Sequence, residues 1–302
     1  MFICCILFII GLSLTIKYKI PDRNEENEFM LKILDPKENK IFELPLEEYV
    51  WRVAAMEVPI SFNDEAIKAQ IVAARTYALR NIYENNHNNV ADVCTDYNHC
   101  MAFLLTGEEE NKLGLDFTLH CKRLKNLASQ TKNQILTYEN KPILAAFHAT
   151  SSGLTEKSSD VWQTQLPYLI NVDSSLDRNV TGYETTVCFE EDELKNIFKI
   201  ESMPVLEIKT HTSAGSVKTV SVNGKSYSGT EIRKLLNLRS NNFWVEKDND
   251  VYIFHVKGYG HGVGMSQTGA NEYAKSGLTY KEILLKYYPG TTLENINKLP
   301  AT

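Results

Sequence analysis

The chain has 302 residues, of which 43% are hydrophobic and 10% aromatic, so it can form one large domain or two small ones around a substantial core. Its formal net charge is −6, and its 32 basic residues are scattered along the sequence. Because nucleic-acid-binding domains usually carry a concentrated basic patch, this composition argues against a nucleic-acid partner.

The N-terminal residues 1–20 contain an uncharged apolar stretch that ends before Lys17. The stretch is shorter than the roughly 20 residues that span a bilayer comfortably. It also lacks a basic segment before it and an obvious small-residue cleavage site. We interpret it as a membrane anchor or export signal, with a buried helix of the fold as the alternative. Residues 21–43 are predicted to form a linker and a first strand.

A helix is predicted to open at Leu44–Leu46, with Pro45 in the first turn, where proline is favoured. Apolar residues recur at helical spacing at Leu46, Val50 and Val53. The next position of that series is Glu57, and Pro59 then ends the helix. A carboxyl group in apolar surroundings has a raised pKa and can hold a proton near neutrality. The alternative is that Glu57 turns to solvent at a fraying helix end.

A second helix is predicted after Ser61–Asp64, whose first and last residues have capping-box spacing. Its apolar stripe consists of Ile67, Ile71, Ala74, Ala78 and Ile82. Lys68 and Arg75 are two turns apart and share a face of this helix. Two cations beside a protonatable glutamate suit a polar or anionic substrate, whereas a solvated surface is the simpler interpretation of the same spacing.

Four potential metal ligands follow within a short span: His87, Cys94, His99 and Cys100. Thiolate and imidazole ligands together are typical of zinc sites. The two cysteines are separated by five residues, which is not a common zinc-finger spacing. The alternatives are a disulfide between the two cysteines, which is plausible outside the cytoplasm, or two unrelated thiols.

The middle of the chain is predicted to form short strands at residues 135–138 and 142–149. They lead to a small polar loop at His148–Gly153, which contains Ser151 and Ser152, and then to an aromatic-rich segment with Trp162 and Tyr168. Aromatic rings beside hydroxyl groups suit a carbohydrate, although Trp162 can equally be a core residue. The GxSxG nucleophile motif is absent, which argues against a serine hydrolase.

Residues from about 200 to 258 are rich in β-strand patterns, with one short helix predicted at Thr230–Leu236. The last strand leads into a glycine-rich loop that begins at Gly258 and continues through Gln267. Such dense glycines allow a backbone to approach a ligand closely. The loop has neither the GxxxxGK[ST] nor the GxGxxG spacing, so a nucleotide site is not indicated.

Five ordered blocks of the sequence together resemble the stage II sporulation protein D family, which includes amidase enhancers. The blocks are AAMEVP (Ala54–Pro59), EAIKAQIVAARTYAL (Glu65–Leu79), FHATSSGLTEKSSDVW (Phe147–Trp162), PYL (Pro167–Leu169) and GHGVGMSQTGA (Gly260–Ala270). The resemblance covers about residues 44–293, and we expect a catalytic domain at 44–302 of this type. It implies an α+β fold in which a helical N-terminal half carries the catalytic acid and a β-rich C-terminal half lies across a substrate cleft.

The resemblance also implies roles for individual residues. Glu57 matches the catalytic acid of the family. The substrate-binding positions that it implies, together with the small polar loop, are Lys68, Arg75, His148, Ser151, Ser152, Tyr168, His261 and Gln267. Some members carry cysteine and histidine where this chain has its four potential zinc ligands. Thr268 stands where members often have tyrosine, which weakens any role for that position.

The implied activity is that of a lytic transglycosylase, which cleaves peptidoglycan glycan strands, preferably stripped of stem peptides, to 1,6-anhydro products during endospore engulfment. The implied location is extracytoplasmic, anchored in the mother-cell membrane that faces the forespore septum. The implied partners are the sporulation amidase (protein P) and the membrane protein M of the same complex. Two competing interpretations are a non-catalytic enhancer of a partner amidase and a zinc-dependent wall hydrolase.

Overall fold

A computed structural model describes residues 28–162 and 164–298. The predicted anchor segment at 1–20 lies outside these residues. Within them, no helix combines the length and apolar character that crossing a bilayer requires.

The described chain alternates short strands with helices of varied length. Up to residue 161 the elements are β1 (Met30–Asp35), β2 (Lys40–Pro45), α1 (Leu46–Glu57), α2 (Asp64–Glu84), β3 (Val93–Cys94), α3 (Glu109–Leu113), α4 (Phe117–Gln130), β4 (Gln134–Tyr138), β5 (Lys141–Pro142), β6 (Phe147–His148) and α5 (Ser158–Val161). After a 3-10 helix at Ser175–Asn179 come β7 (Glu184–Glu190), α6 (Glu191–Phe198), β8 (Leu206–His211), β9 (Val217–Val222), β10 (Lys225–Ser228), α7 (Gly229–Leu235), β11 (Phe243–Asp248), β12 (Val251–Lys257), β13 (Met265–Ser266), α8 (Gln267–Lys275), α9 (Tyr280–Tyr287), β14 (Thr292–Asn295) and a 3-10 turn at Ile296–Lys298.

Helix α2 lies at the centre of the helical region and packs against α1, α4, α8 and α9. Its predicted apolar stripe is buried throughout, from Ile67 to Ile82. The predicted capping box at Ser61 is wrong, because the helix begins at Asp64 and the side chain of Asn63 accepts a hydrogen bond from the N–H of Glu65. Asparagine is as good an N-cap as serine, so only the capping residue differs from the prediction, and the helix begins at Asp64 as predicted.

Helix α1 has the predicted course. It begins directly after Pro45, which holds the N-cap position, and it ends at Glu57, two residues before Pro59. Tyr49 and Trp51 add large buried side chains to its inner faces. This packing fixes the end of α1, and therefore Glu57, against the core.

The sheets are small and several. Their strand orders are β2-β1-β3, β14-β4-β5, β13-β6, β10-β9-β8 and β11-β12-β7. The last two sheets pack with α6 and α7 around one hydrophobic cluster that includes Leu194, Ile232 and Phe254. The described chain is therefore a mixed α/β structure with a β-rich region, as the sequence indicated.

Two details of the predicted arrangement are corrected by the structure. The strand predicted at 142–149 is interrupted, with β5 at its start and β6 near its end. The C-terminal half is not uniformly β-rich, because α8 and α9 return to pack on α2, where Tyr287 and Tyr288 are buried in a second hydrophobic cluster. The glycine loop and α8 therefore meet the helices of the first half.

Candidate active site

Glu57 is the last residue of α1, and its carboxyl group is held by a backbone donor. Its Oε1 accepts a hydrogen bond from the N–H of Ala102 at 2.9 Å. Burial raises the pKa of Glu57, and the Ala102 N–H, the Gln267 side chain and the charge of Lys112 only partly oppose this rise. Glu57 therefore keeps its proton to a higher pH than an exposed glutamate, as an acid catalyst requires.

A pocket of about 460 Å³, here called the Glu57 pocket, opens in front of this carboxyl group. It is lined by Glu57, Tyr77, residues 97–101, residues 144–147, Trp162 and His261. Trp162 is 37% exposed and lies with its ring centroid 5.1 Å from that of His261. Among the described residues that line the pocket, Glu57 supplies the only carboxylate. The pocket thus combines one protonatable acid with aromatic surfaces.

The glycine-rich loop forms one wall of this region by packing backbone against backbone. At Gly264, where φ is +74°, an added Cβ atom would lie 2.0 Å from the carbonyl oxygen of Ala146. The parallel pairing of β13 with β6 sets Met265 opposite Phe147. Only glycine permits so close an approach, and the approach brings His261 to the Glu57 pocket.

His148 and His261 are both neutral near pH 7. Burial, with the nearby His261 ring, lowers the pKa of His148 to about 3. Burial, with the charge of Arg233, lowers the pKa of His261 to about 4. Nδ1 of His148 lies 3.2 Å from the carbonyl oxygen of Val263, and Nδ1 of His261 accepts from the N–H of Val263 at 3.1 Å. Neither histidine is therefore a charged acid near pH 7, and His261 lines the Glu57 pocket whereas the buried His148 does not.

The first turn of α8 brings Gln267 next to Glu57. Ser266 caps the helix by accepting from the N–H of Gly269 at 3.2 Å, and its hydroxyl donates to Asp177 at 2.8 Å. The Thr268 hydroxyl also donates to Asp177, whose side chain is fully buried. Burial raises the pKa of Asp177. This network fixes the turn and gives Thr268 a structural position.

The four potential metal ligands come together in the structure. Their ligand atoms, which belong to His87, Cys94, His99 and Cys100, all lie within 4.8 Å of one another. Both cysteines are free thiols, so the structure does not contain the disulfide that was the alternative.

The separations within this cluster suit a tetrahedral ion. The Cys100 sulfur lies 3.2 Å from Nε2 of His87 and 3.5 Å from Nδ1 of His99, and the Cys94 sulfur lies 3.5 Å from the same His99 atom. Sulfur and nitrogen ligands of tetrahedral zinc are about 3.5 Å apart, given their usual bond lengths. Four protein ligands leave no open position, which is typical of structural zinc and argues against a zinc-activated water.

The cluster adjoins the Glu57 pocket. His99, Cys100 and Met101 line that pocket, and the next residue, Ala102, donates its N–H to Glu57. The Tyr49 ring stacks on Phe103 at 5.5 Å between centroids, just beyond this donor. The loop that carries the potential metal ligands therefore also holds the acid.

Comparison with known proteins assigns the family. A family model described as Stage II sporulation protein matches residues 35–138. The chain is 33% identical over 274 residues to the stage II sporulation protein D of Bacillus amyloliquefaciens, covering 89% of this chain and 80% of that protein. It is 35% identical over 255 residues to stage II sporulation protein D of Bacillus subtilis, covering 83% of this chain and 74% of that protein. The chain belongs to the stage II sporulation protein D family.

The chain is also similar to an amidase enhancer. The chain is 29% identical over 295 residues to the amidase enhancer of Bacillus subtilis, with 78% of this chain and 39% of that protein aligned. The alignment covers less than half of that amidase enhancer.

In this member of the stage II sporulation protein D family, the two predicted cationic residues have carboxylate partners outside the Glu57 pocket. Arg75 is fully buried and forms a bidentate pair with Glu47, at 3.0 and 2.6 Å. Lys68 binds Glu65 at 2.7 Å. Neither cation is among the residues that line the pocket. Their contact with substrate stays a prediction, and the structure gives Arg75 a position that joins α2 to α1.

The other predicted binding residues differ in whether they lie beside Glu57. The Tyr168 hydroxyl is buried and accepts hydrogen bonds from Arg80 and from the N–H of Leu144, each at 3.0 Å. Tyr168 thereby supports the pocket residue Leu144. Ser151 is buried and accepts from the N–H of Gly153 at 3.2 Å, while Ser152 lies at the edge of a different pocket. His261 and Gln267 are the two that the fold places beside Glu57.

The sequence did not indicate three residues that the structure brings to this region. Ala102 contributes only its backbone N–H, so its side chain carries no signal. Asp177 and Glu156 are buried acids, 0% and 3% exposed, neither of which the sequence analysis singled out. Glu156 lies within the block TEKSSDVW, where its position next to a loop of small polar residues was the available signal.

Proposed function

We propose that this protein is a peptidoglycan lytic transglycosylase that cleaves the bond between N-acetylmuramic acid and N-acetylglucosamine during endospore engulfment. The observation that carries the proposal is a single glutamate with a raised pKa in a pocket lined by no second carboxylate among its described residues. Glycosidases that use water normally need a pair of carboxylates. A reaction in which the substrate supplies its own nucleophile needs only one.

Protonated Glu57 donates its proton to the glycosidic oxygen, and the bond from that oxygen to C1 of the muramic residue breaks. The resulting carboxylate then accepts the proton of the muramic C6 hydroxyl, whose oxygen forms a bond to C1. The products are a 1,6-anhydro-muramic end and a free N-acetylglucosamine hydroxyl, and Glu57 is protonated again. The raised pKa favours the first step, and the Ala102 N–H stabilises the carboxylate that forms.

The surroundings of Glu57 fit a sugar substrate. Trp162 offers a partly exposed aromatic face, and the uncharged ring of His261 lies beside it. Gln267 adds a side-chain amide beside the acid. A strand stripped of stem peptides presents bare sugar rings to such a surface, which is why we propose it as the preferred substrate.

We further propose that zinc is bound by His87, Cys94, His99 and Cys100, because the two thiols and two imidazoles converge at the separations that tetrahedral zinc requires. Bound at four protein ligands, zinc supplies structural stability rather than a reactive water. The residues themselves hold the loop that ends at Ala102, and through it they hold Glu57.

The setting that we propose follows the family role in sporulation. The protein is membrane-anchored through its N-terminal segment and extracytoplasmic, in the mother-cell membrane that faces the forespore septum. Its partners are peptidoglycan strands, the sporulation amidase (protein P) and the membrane protein M of the engulfment complex. An interaction assay with purified partners tests this arrangement, and failure of both proteins to bind would contradict it.

The second candidate function is a non-catalytic enhancer that binds the wall and stimulates a partner amidase. The similarity to the Bacillus subtilis amidase enhancer supports it. Mass spectrometry of amidase-treated sacculi separates the two functions. We expect anhydro-muramic products from the wild-type protein and none from an enhancer acting alone.

Glu57→Gln is the matching variant for this assay. It removes the proton donor but keeps the shape and the acceptor for Ala102, so we expect a 10²- to 10⁴-fold loss of product, roughly the contribution of general acid–base catalysis. Glu207→Gln, a change at an exposed glutamate of β8, should leave the rate unchanged. Full activity of Glu57→Gln would contradict the assignment of the acid.

A further inference from the structure

A second pocket of about 460 Å³, here called the Glu156 pocket, lies between the 150–161 segment, β9 and the glycine loop. Most side chains that line it are hydroxyls or amides, among them Thr212, Ser216, Ser240 and Asn241. His261 lines both this pocket and the Glu57 pocket. The two pockets therefore adjoin at His261.

Glu156 is buried at one wall of this pocket with half of its carboxyl group unpaired. It is 3% exposed, and its Oε1 accepts from the Thr212 hydroxyl at 3.0 Å. Its Oε2 is buried and has no hydrogen-bond partner among the described residues. Burial raises the pKa of Glu156, and the neighbouring Ser216 and Thr212 lower it only in part. Such an orphaned acceptor calls for a donor from water or from a ligand.

The glycine loop is fitted closely against this acid. The N–H of Glu156 donates to the carbonyl oxygen of Gly262 at 2.8 Å. At Gly262, where φ is +79°, an added Cβ would lie 2.8 Å from Cγ of Glu156. The wall of the pocket and the loop that carries His261 are thus one packed unit.

Asn241 supplies a second unpaired acceptor in the same pocket. Its side-chain nitrogen donates to the Thr230 hydroxyl at 3.0 Å, while its Oδ1 is buried without a partner in the described structure. Two buried acceptors in one polar pocket suit a ligand that carries several hydrogen-bond donors. Sugar hydroxyls and an acetamido N–H provide them.

The charges of the pocket favour a neutral ligand. Asp160 pairs with Lys218 at 2.9 Å, and Lys257 is a second lining cation that offsets Glu156, so the formal charges of the lining sum to zero. A ligand carboxylate placed beside Glu156 and Asp160 would meet like charge. Of the two sugars that alternate in a glycan strand, N-acetylmuramic acid carries a lactyl carboxylate or a peptide, whereas N-acetylglucosamine carries neither.

We propose that the Glu156 pocket is a subsite for N-acetylglucosamine that sets the register of the glycan strand, with Glu156 and Asn241 accepting hydrogen bonds from the sugar. The proposal rests on the proposed function for its substrate. Since the two sugars alternate, a pocket that accepts only one of them determines which glycosidic bond lies in front of Glu57. Glu156 is a binding residue in this account and transfers no proton.

Binding of a soluble trimer of N-acetylglucosamine tests the subsite without relying on turnover. The measurement is isothermal titration calorimetry in a Glu57→Gln background. Adding Glu156→Gln replaces the acceptor Oε2 by an amide donor, so we expect at least a 10-fold weaker affinity, the usual effect of losing a hydrogen bond to a charged or buried acceptor. The matched control Glu207→Gln, at an exposed glutamate of β8, should bind as tightly as the background protein.

A second variant keeps the proposal falsifiable if Glu156→Gln unfolds. Ser159 is exposed at the pocket, so Ser159→Trp should fill its mouth without touching the buried acceptors. We expect the same loss of affinity at an unchanged melting temperature. Unchanged affinity in both variants would overturn the subsite and leave the orphaned acceptors to water.

The outcome is distinguishable from failure of the proposed function. If the wild-type protein yields no anhydro products while both pocket variants lose trimer binding, the enzymatic function fails and the subsite stands as a wall-binding site. If anhydro products form and the pocket variants bind the trimer normally, the enzymatic function stands and the subsite is overturned.

Discussion

Two loops form the walls around Glu57, and they are held in place by different means. The cysteine–histidine loop at residues 94–102 has little regular structure beyond β3, and its side chains converge on a potential metal position. The glycine loop at 258–267 is held by backbone packing, with Gly264 pressed against Ala146. The cysteine–histidine loop thus carries side chains that a metal ion can bind together, whereas the glycine loop is held by contacts between backbone atoms.

We expect the largest effect when one potential metal ligand of the cysteine–histidine loop is removed. Cys100→Ser removes a sulfur ligand that lies near both histidines, so we expect near-complete loss of bound zinc and a melting temperature lower by about 5 °C or more. Elemental analysis and thermal unfolding of zinc-loaded protein measure the two effects. Cys188→Ser, at an exposed cysteine of β7, is the control and should change neither. Full zinc content in Cys100→Ser would contradict the proposed metal site in the cysteine–histidine loop.

The glycine loop should respond to steric change and be indifferent to metal. Gly264→Ala places a methyl group 2.0 Å from a carbonyl oxygen, in addition to the strain of a φ of +74°. We expect a loss of roughly 3 kcal/mol or more in the free energy of unfolding, measured by denaturant titration.

Gly224→Ala is the matched control for that change. Its φ is +82°, close to that of Gly264, but an added Cβ would meet nothing within 4 Å. Backbone strain alone should then cost about 1 kcal/mol. Equal losses in the two variants would show that the close approach to Ala146 does not hold this wall.

The smallest effect that we expect is a pH dependence of the free energy of unfolding that arises from Glu57, the residue that lies between the two loops. Its pKa is raised above the ordinary 4.5, so the folded protein binds this proton more tightly than the unfolded chain does. Stability contributed by the protonated form is therefore lost as pH rises from about the ordinary value through the raised value. Wild-type protein should lose stability relative to Glu57→Gln over this window, and a constant difference would contradict the raised pKa.

Activity should follow the same titration. The alkaline limb of the rate profile reports loss of the Glu57 proton, so it should lie above pH 4.5. His148 and His261, with pKa values of about 3 and 4, stay neutral through this range and should add no limb near pH 6.5.

Local patterns predicted much of this molecule because local physics decides them. The apolar stripe of α2 and the end of α1 at Glu57 follow from helical spacing and from proline. The four potential metal ligands were recognisable because they lie within 14 residues of one another, from His87 to Cys100, in a span too short to separate them.

Long-range partners were beyond reach of the same reasoning. Arg75 was assigned to a substrate face, yet its guanidinium group binds Glu47, 28 positions earlier in the chain. The donor that holds Glu57 is a backbone N–H 45 positions away, and Glu156 gains its meaning only from the close fit of Gly262. Nothing in hydrophobic spacing specifies which distant carboxylate or amide will meet such a side chain.

The buried pair of Arg75 and Glu47 has a consequence for genetics. Glu47 lies in the first turn of α1, and Glu57 lies at the other end of this 12-residue helix, about 15 Å away. The pair fixes the first turn of α1, and the position of Glu57 at the end of the helix depends on it. A substitution at Arg75 can therefore abolish sporulation by displacing α1 and, with it, Glu57. Such a phenotype alone would not show that Arg75 contacts the glycan.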